Sequence, residues 1–390
     1  MGEDEPPEYG TGRGTAGEVF AAFLALGVSA FGGPVAHLGY FRARFVGRWL
    51  SEAGFGDLVA LCSVLPGPTS SQVGAAIGFR RAGWAGAAAA WTGFTLPSAV
   101  LMIAVALLAR GIDGRVLFHV EHGLALAAVA IVAQAVVGMA RSLTPDWPRK
   151  GLALAAAAIV AAGGAFGQVA AIAVGAAAGA FLPRVAVPAA VRTPRMRPVT
   201  ATLVPVAILV TLLVAAFCTA QVTGSRSAAL AAACLRAGAL VFGGGHVVLP
   251  LLQASVVPHL VGRDAFLAGY GAAQAVPGPL FTFAAFLGAT VGGVGGGLIA
   301  LVALFAPGML LLAAALPWAG AVTSGRTRAA VAGVNAAVVG VLAAALVSPV
   351  GTAAILGPGD ALLAAAALAA LLARAPPLAV VAALVAVQVV

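Results

Sequence analysis

Long apolar runs separated by short polar clusters set the pattern of this chain. A membrane helix needs about 20 apolar residues. On that measure the runs predict membrane segments near 17–33, 55–79, 83–109, 119–140, 151–167, 168–183, 199–222, 228–245, 265–289, 294–316, 328–347, 360–374 and 376–390. The pieces at 151–167, 168–183, 360–374 and 376–390 are short, so each pair reads either as thin spans or as a hairpin. Two segments are interrupted. Val64-Leu65-Pro66-Gly67-Pro68-Thr69-Ser70-Ser71-Gln72 breaks the run at 55–79, and Ala275-Val276-Pro277-Gly278-Pro279-Leu280-Phe281-Thr282 breaks the run at 265–289. A helix cannot run through Pro-Gly-Pro, because the prolines lack amide donors and their rings clash with the preceding turn. Each break is expected inside a helix that crosses the bilayer, at a place buried in protein or lining a cavity.

The interruptions repeat. Phe31-Gly32-Gly33 and Pro66-Gly67-Pro68 recur as Phe242-Gly243-Gly244 and Pro277-Gly278-Pro279, both at an offset of 211. After one deletion, Gly78, Gly83, Gly86, Pro97 and Gly123 match Gly288, Gly293, Gly296, Pro307 and Gly333 at 210. The chain therefore divides into a tail at 1–16, a first repeat at 17–183, a basic linker plus connecting helix at 184–227, and a second repeat at 228–390. Six segments plus one is odd, so the second repeat enters the membrane from the opposite side. The fold expected is all-α: a polytopic membrane helix bundle of two inverted-topology repeats with Pro-Gly-Pro broken helices, about 12–13 membrane segments in all.

Composition sharpens this reading. Hydrophobic residues make up 62% of the chain and charged residues only 8%, with mean hydropathy +1.07, against roughly 25% charged in soluble domains. The net charge of +9 comes from basic residues scattered over short loops, which is membrane topology rather than a nucleic-acid surface. Cys62, Cys218 and Cys234 lie singly, so neither redox nor metal chemistry is expected. The acidic start, Met1 to Glu8, lacks a signal peptide's basic region and reads as a disordered cytoplasmic tail. With that tail inside, 14 of the 21 basic residues are cytoplasmic, among them Arg263 and Arg374. Arg42, Arg44 and Arg48 fall on the wrong side, so either 17–33 does not fully cross or 36–50 folds back.

The candidate chemistry gathers at the breaks. Pro66, Gly67 and Pro68, like Pro277, Gly278 and Pro279, suit a helix restart in which Pro68 and Pro279 take the first position. The amides of Thr69, Ser70 and Ser71, and of Leu280, Phe281 and Thr282, then become free donors at positive dipole ends, a ready anion site. Ser63 and Gln274 precede the breaks by three residues, and Ser71 and Thr282 come three after. The bland alternative is a kinking proline with capping hydroxyls. Gly32, Gly33, Gly243, Gly244 and Gly245 allow close backbone approach to a ligand or to another helix. His37 and His246 are not equivalent by register; either one donates to an anion, titrates, or is a satisfied structural histidine. Arg80 and Arg81 anchor the membrane face or attract an anion. Asn335, whose counterpart is Ala125, bonds across helices or reaches the cavity.

Glu18, Asp57 and Glu121 lie near predicted span ends, and a cation carrier would normally place a carboxylate at mid-membrane. Their placement favours an anion and leaves no obvious proton carrier. Gly292 to Gly297 reads as a turn entering a helix. His119 and His122 lack the glutamate of a zinc motif, and no phosphate-cradling loop for ATP is present. Neither a catalytic set, a metal nor a cofactor is expected.

With Phe31-Gly32-Gly33-Pro34-Val35-Ala36-His37-Leu38, Leu65 to Gln72, Phe242 to His246, Pro277-Gly278-Pro279 and Gly333 to Gly340 in hand, the chain resembles the chromate ion transporter family in its long form. The resemblance implies two fused homologous domains of opposite orientation in the bacterial inner membrane. It implies export of chromate driven by the membrane gradient, conferring chromate resistance, with sulfate as the structural analogue. Expected partners are such an oxyanion and the lipid bilayer, not nucleic acid; a homodimer stays open. An uncoupled anion channel is the main alternative, and an intramembrane enzyme is a remote one.

Overall fold

A computed structural model describes residues 14–30, 33–109, 114–181, 200–241, 247–318 and 325–389. The tail, most of the basic linker, and residues 31–32 and 242–246 lie outside the described residues. The described chain is helical, with no strand. α1 (Ala16–Gly27) is capped by the Thr15 hydroxyl, which accepts from the Glu18 amide. At 12 residues it is about 18 Å long, well short of the ~30 Å hydrocarbon core. α2 (Gly33–Phe45) runs back beside it: the Phe23 ring stacks on Phe45 at 4.9 Å and meets Phe41 edge-on at 5.4 Å. In one continuous rod, residues 23 and 45 would be about 33 Å apart.

The next pair does the same. α3 (Glu52–Val64), capped by Ser51, and the first arm of α4 (Thr69–Leu108) are broken at Pro-Gly-Pro, as expected. The arms do not continue in line, however. A Cβ on Gly54 would lie 2.8 Å from Arg80 Nη1, so the arms lie side by side and the break is a hairpin tip. The second repeat builds two matching hairpins. α8 (Arg226–Leu240) and α9 (Val248–Val256) are joined at their outer end by Arg226, which donates to the Leu260 carbonyl. α10 (Arg263–Ala275) returns through a 3-10 turn at Leu280–Thr282 into α11 (Phe283–Ala315), with Phe266 and Phe283 rings 5.0 Å apart.

α4 and α11 then each turn once more. Gly83 has φ +64 and Gly293 has φ +64, a left-handed conformation that suits glycine. Beyond these turns Gly78 packs directly on the Gly86 carbonyl, and Gly288 on that of Gly296. The second arms, 84–108 and 294–315, are long enough to cross. They pack antiparallel, since Trp91 meets Phe305 with centroids 5.5 Å apart and a Cβ on Gly297 would lie 2.9 Å from Ile103 Cγ1. That crossing is the pseudo-twofold of two inverted repeats.

α5 (Gly114–Leu143) recrosses, and α7 (Thr200–Thr223) connects the repeats on the outside of the bundle. α6 (Trp147–Gly179) doubles back, because Gly167 sits 2.9 Å from the Ile159 carbonyl oxygen measured from an added Cβ. Eight residues of straight helix would span about 12 Å. Its counterpart is the hairpin of α13 (Pro358–Leu372) and α14 (Pro377–Val389), which comes after α12 (Gly325–Ala345). Each hairpin packs on the other repeat: α6 on α12 through Gly175, Gly179 and Gly333, and α13–α14 on α5 through Gly123 and Val385. Among the described residues, four helices are long and apolar enough to cross a membrane: Thr69–Leu108, Phe118–Arg141, Thr200–Thr223 and Leu280–Ala315.

Three expectations change. Segments 17–33 and 228–245 do not cross, being first arms of hairpins. Segments 55–79 and 265–289 are re-entrant rather than through-spans. Arg42, Arg44 and Arg48 therefore emerge at the same face as Arg81, with Arg42 paired to Glu52 and Arg81 to Glu18 at 3.0 Å, while Arg263 stands with Arg226 at the opposite face.

Candidate functional site

Proline and glycine chemistry shapes the two Pro-Gly-Pro tips alike. Gly67 has φ +125 and Gly278 has φ +106, a region that side chains strongly disfavour. Pro68 and Pro279, with φ of −74 and −73, take the cap position of the helix beyond rather than its first residue. In α4 the first bond of the ladder runs from the Gln72 amide to the Pro68 carbonyl at 2.9 Å, which leaves the amides of Thr69, Ser70 and Ser71 outside it. The second repeat departs from expectation here. Its helix opens with a 3-10 turn, so the Thr282 amide donates to the Pro279 carbonyl at 3.0 Å, as does the Thr282 hydroxyl at 2.9 Å. Only the Leu280 and Phe281 amides stay outside.

The tips are held by the opposite repeats, reciprocally. The Gly67 amide donates to the Val241 carbonyl at 2.7 Å, and the Gly278 amide donates to that of Ala30 at 2.9 Å. Val241 and Ala30 directly precede the two Phe-Gly-Gly motifs and are themselves counterparts. Each tip also abuts the proline bend of the other repeat's crossing arm. Gly308, beside Pro307, approaches Gly67 and Pro68, while Ser98, beside Pro97, approaches Gly278. Gln72 closes the first contact: its Nε2 donates to the Pro66 carbonyl at 3.0 Å and to the Gly308 carbonyl at 2.9 Å.

Buried polar residues concentrate here. Thr69, Ser70, Ser71 and Gln72 open α4, Thr95 and Ser98 flank Pro97, Thr282 lies just past the second tip, and His37 lies one turn into α2. His37 Nδ1 lies 3.4 Å from Ser70 Oγ, and its ring meets Phe94 edge-on at 5.0 Å. His37 Nε2, Ser71 Oγ, Gln72 Oε1, Thr95 Oγ1 and Gln274 Nε2 are buried without a hydrogen-bond partner in the protein. Orphaned polar atoms cost roughly 1–3 kcal/mol each, so they mark a place for a polar guest. Gln274 is held by a hydrogen bond with the Tyr270 side chain, whereas Ser63 turns its hydroxyl back to the Val59 carbonyl.

The structure brings together Ser70, Ser71, Thr69, Pro66, Gly67, Pro68, Pro277, Gly278, Pro279, Thr282 and His37. Gly33 is the first residue of α2. Gly32, Gly243, Gly244, Gly245 and His246 lie outside the described residues. Arg80 is at the outer end of its hairpin, about 17 Å from the tip, and Asn335 is on α12 with its Oδ1 unpartnered. Sequence reasoning passed over Gln72, Thr95, Ser98 and Gly308. The signal was present in hydroxyls flanking an intrahelical proline, Thr95 and Ser98 around Pro97.

No carboxylate, guanidinium or ammonium belongs to this cluster among the described residues. Its positive potential comes instead from helix ends, since α4 and the turn into α11 begin at the tips and α2 begins three residues past Ala30. At about half a charge per terminus, these ends supply on the order of one positive equivalent or more toward an anion.

The sequence profile of the family described as Chromate transporter matches residues 17–183 and 228–389. A chromate transport protein of Pseudomonas aeruginosa is 32% identical over 305 residues, covering 74% of this chain and 70% of its own. A probable chromate transport protein of Synechococcus elongatus is 29% identical over 76% of this chain and 74% of its own. A chromate transport protein of Cupriavidus metallidurans is 26% identical over 76% and 73%. No solved structure matches. The family and these relatives are transporters, not enzymes. With both halves matched and both carrying the same broken-helix tips, the chain belongs to the chromate transporter family.

Proposed function

We propose that this membrane transporter exports chromate, or a similar tetrahedral oxyanion such as sulfate, by a secondary active mechanism across the bacterial cytoplasmic membrane. One observation carries the reading: the reciprocal bonds from Gly67 to Val241 and from Gly278 to Ala30, which set two helix-starting tips face to face on an inverted pseudo-dyad. Such a site binds from either side when the hairpins of one repeat move relative to the crossing arms of the other. The dipole ends and the hydroxyls of Ser70, Ser71, Thr69 and Thr95 suit an oxyanion, which accepts hydrogen bonds at every corner. The close approach of Gly308 to Gly67 and Pro68 supports a carrier, whose tips part and re-form, over a continuously open channel.

The face bearing Arg42, Arg44, Arg48 and Arg81 is the cytoplasmic one in this reading. That choice rests on the positive-inside rule and places the N-terminus inside. Radiolabelled chromate and sulfate flux in proteoliposomes, under an imposed voltage or pH gradient, tests the proposal. Saturable, gradient-driven flux with counterflow exchange is expected. Conductive flux without counterflow would replace the carrier with a channel, and no flux of either ion would remove the substrate assignment.

A further inference from the structure

Among the described residues, the proposed oxyanion site lacks a fixed cation but contains one group able to become one. His37 is 1% exposed and sits where both tips meet. Ser70, beside its Nδ1, belongs to the first turn beyond tip one. Phe94, against its face, lends its carbonyl region to Gly278 of tip two, and Ala30, which accepts the Gly278 amide, stands three residues before the start of α2. Nε2 has no partner in the protein. The register puts Val248 at the corresponding place in the second repeat, so among the described residues the pseudo-dyad holds one imidazole; His246 lies outside them.

We propose that His37 takes up a proton together with the oxyanion, so that one imidazolium partners each dianion and transport is proton-coupled through this ring. The pair then moves as a net monoanion, whose export is driven by an inside-negative voltage and opposed by an inward proton gradient. The inference rests on the oxyanion reading of the same site. Its physical basis is linkage. An imidazolium buried against the Phe94 ring, with only the Ala30 backbone and the Ser70 hydroxyl beside it, carries a large desolvation cost, and a dianion held only by amides and hydroxyls carries one too. Together they offset each other, so each raises the affinity for the other. Nδ1–H then donates to the Ser70 hydroxyl and Nε2–H to the guest, and the orphaned Nε2 is satisfied.

Other charges do not substitute for it. On its own helix Arg42 and Arg44 lie farther along, toward the outer end, with Arg42 engaged by Glu52. From α1 the charged group is Glu18, paired with Arg81 at the outer end. From α4 it is Arg80 and Arg81 at that same end, and the arm 84–108 carries no charged residue. From α10, Tyr270 faces Phe283 and Gln274, and Asp264 is at the outer end.

The test uses the full chain in proteoliposomes with voltage clamped to zero by potassium and an ionophore. Wild type should accumulate labelled chromate down a proton gradient, with the anion moving in the proton's direction. His37→Gln should transport chromate more weakly, and whatever chromate–chromate counterflow it retains should lose the response to the proton gradient. His122→Gln, altering the separate His122–Asp360 pair, should keep it. Comparison with wild type cancels the substrate's own protonation, which all variants share. A second measurement needs no variant: adding chromate to purified wild type in weakly buffered alkaline detergent solution should take up about one proton per anion bound. Retained proton coupling in His37→Gln, or binding without proton uptake, overturns the inference while leaving the oxyanion site intact. Absence of all chromate and sulfate flux in wild type overturns both.

Discussion

Gln72 shows how much one side chain decides at the tips. Its counterpart in the second repeat is Phe283, which packs on Phe266 and Tyr270 and makes no comparable bond. Tip one is therefore latched to Gly308 by hydrogen bonds, and tip two is held by rings. Gln72→Leu removes the latch at nearly constant volume and leaves the Pro66 and Gly308 carbonyls without this donor, a cost of roughly 1–3 kcal/mol. The expected outcome is a lower melting temperature and faster exchange between faces, read by thermal unfolding in detergent and by counterflow; an unchanged melting point would show that the latch carries nothing. Gly67→Ala is harsher. A Cβ there would lie 2.7 Å from the Gly308 Cα, and the φ of +125 costs a non-glycine residue about 1–3 kcal/mol. Transport should fall by at least about tenfold, the equivalent of ~1.4 kcal/mol, while membrane insertion survives. Gly83→Ala is the contrast, since it shares a positive φ but has nothing within 4 Å of an added Cβ, so it should insert and transport far better.

Among the elements, the hairpins are where sequence and structure part company. Pro-Gly-Pro dictates that a helix stops and restarts, and both breaks are where the residues put them. The direction of the restarted helix is not encoded locally. An apolar run of about 25 residues reads the same whether its arms lie in line or side by side, because Ala, Gly and Val leave no polar stripe to give direction. The information lay farther off: Arg42, Arg44 and Arg48 carried a charge conflict that only a re-entrant path relieves, and Gly78 and Gly86 carried the close approach that folds α4. The pairing of His37 with Ser70, 33 residues apart, depends on two hairpins lying together and had no local signal at all. The path is testable. Arg48→Cys, in a chain whose Cys62, Cys218 and Cys234 are replaced, should react with a membrane-impermeant maleimide from the cytoplasmic face only. Labelling from outside alone would restore the through-span and dismantle the hairpin.

At the scale of the whole molecule, neither repeat contains its own site. Tip one is bonded to Val241 and closed by Gly308, tip two is bonded to Ala30 and lies against Ser98, and the terminal hairpins α6 and α13–α14 are exchanged between halves. Each repeat alone would expose the small-residue faces of Gly175, Gly179, Gly333 and Gly340, whose close contacts are all supplied by the other half. In a bilayer such faces associate by packing rather than by a hydrophobic force, so separated halves should find one another. Cutting the chain within 184–198 and co-expressing the pieces is expected to restore chromate flux to at least about a tenth of wild type, a deficit of ~1.4 kcal/mol or less. The first piece alone should give none as a monomer. Flux from a monomeric first repeat, with its mass confirmed in detergent, would mean that one set of hairpins suffices, and the reciprocal tips would then be packing rather than mechanism. Flux from a dimer of first repeats inserted in both orientations would instead reproduce the inverted pair with identical halves, carrying two copies of His37 across the dyad where the fused chain carries one.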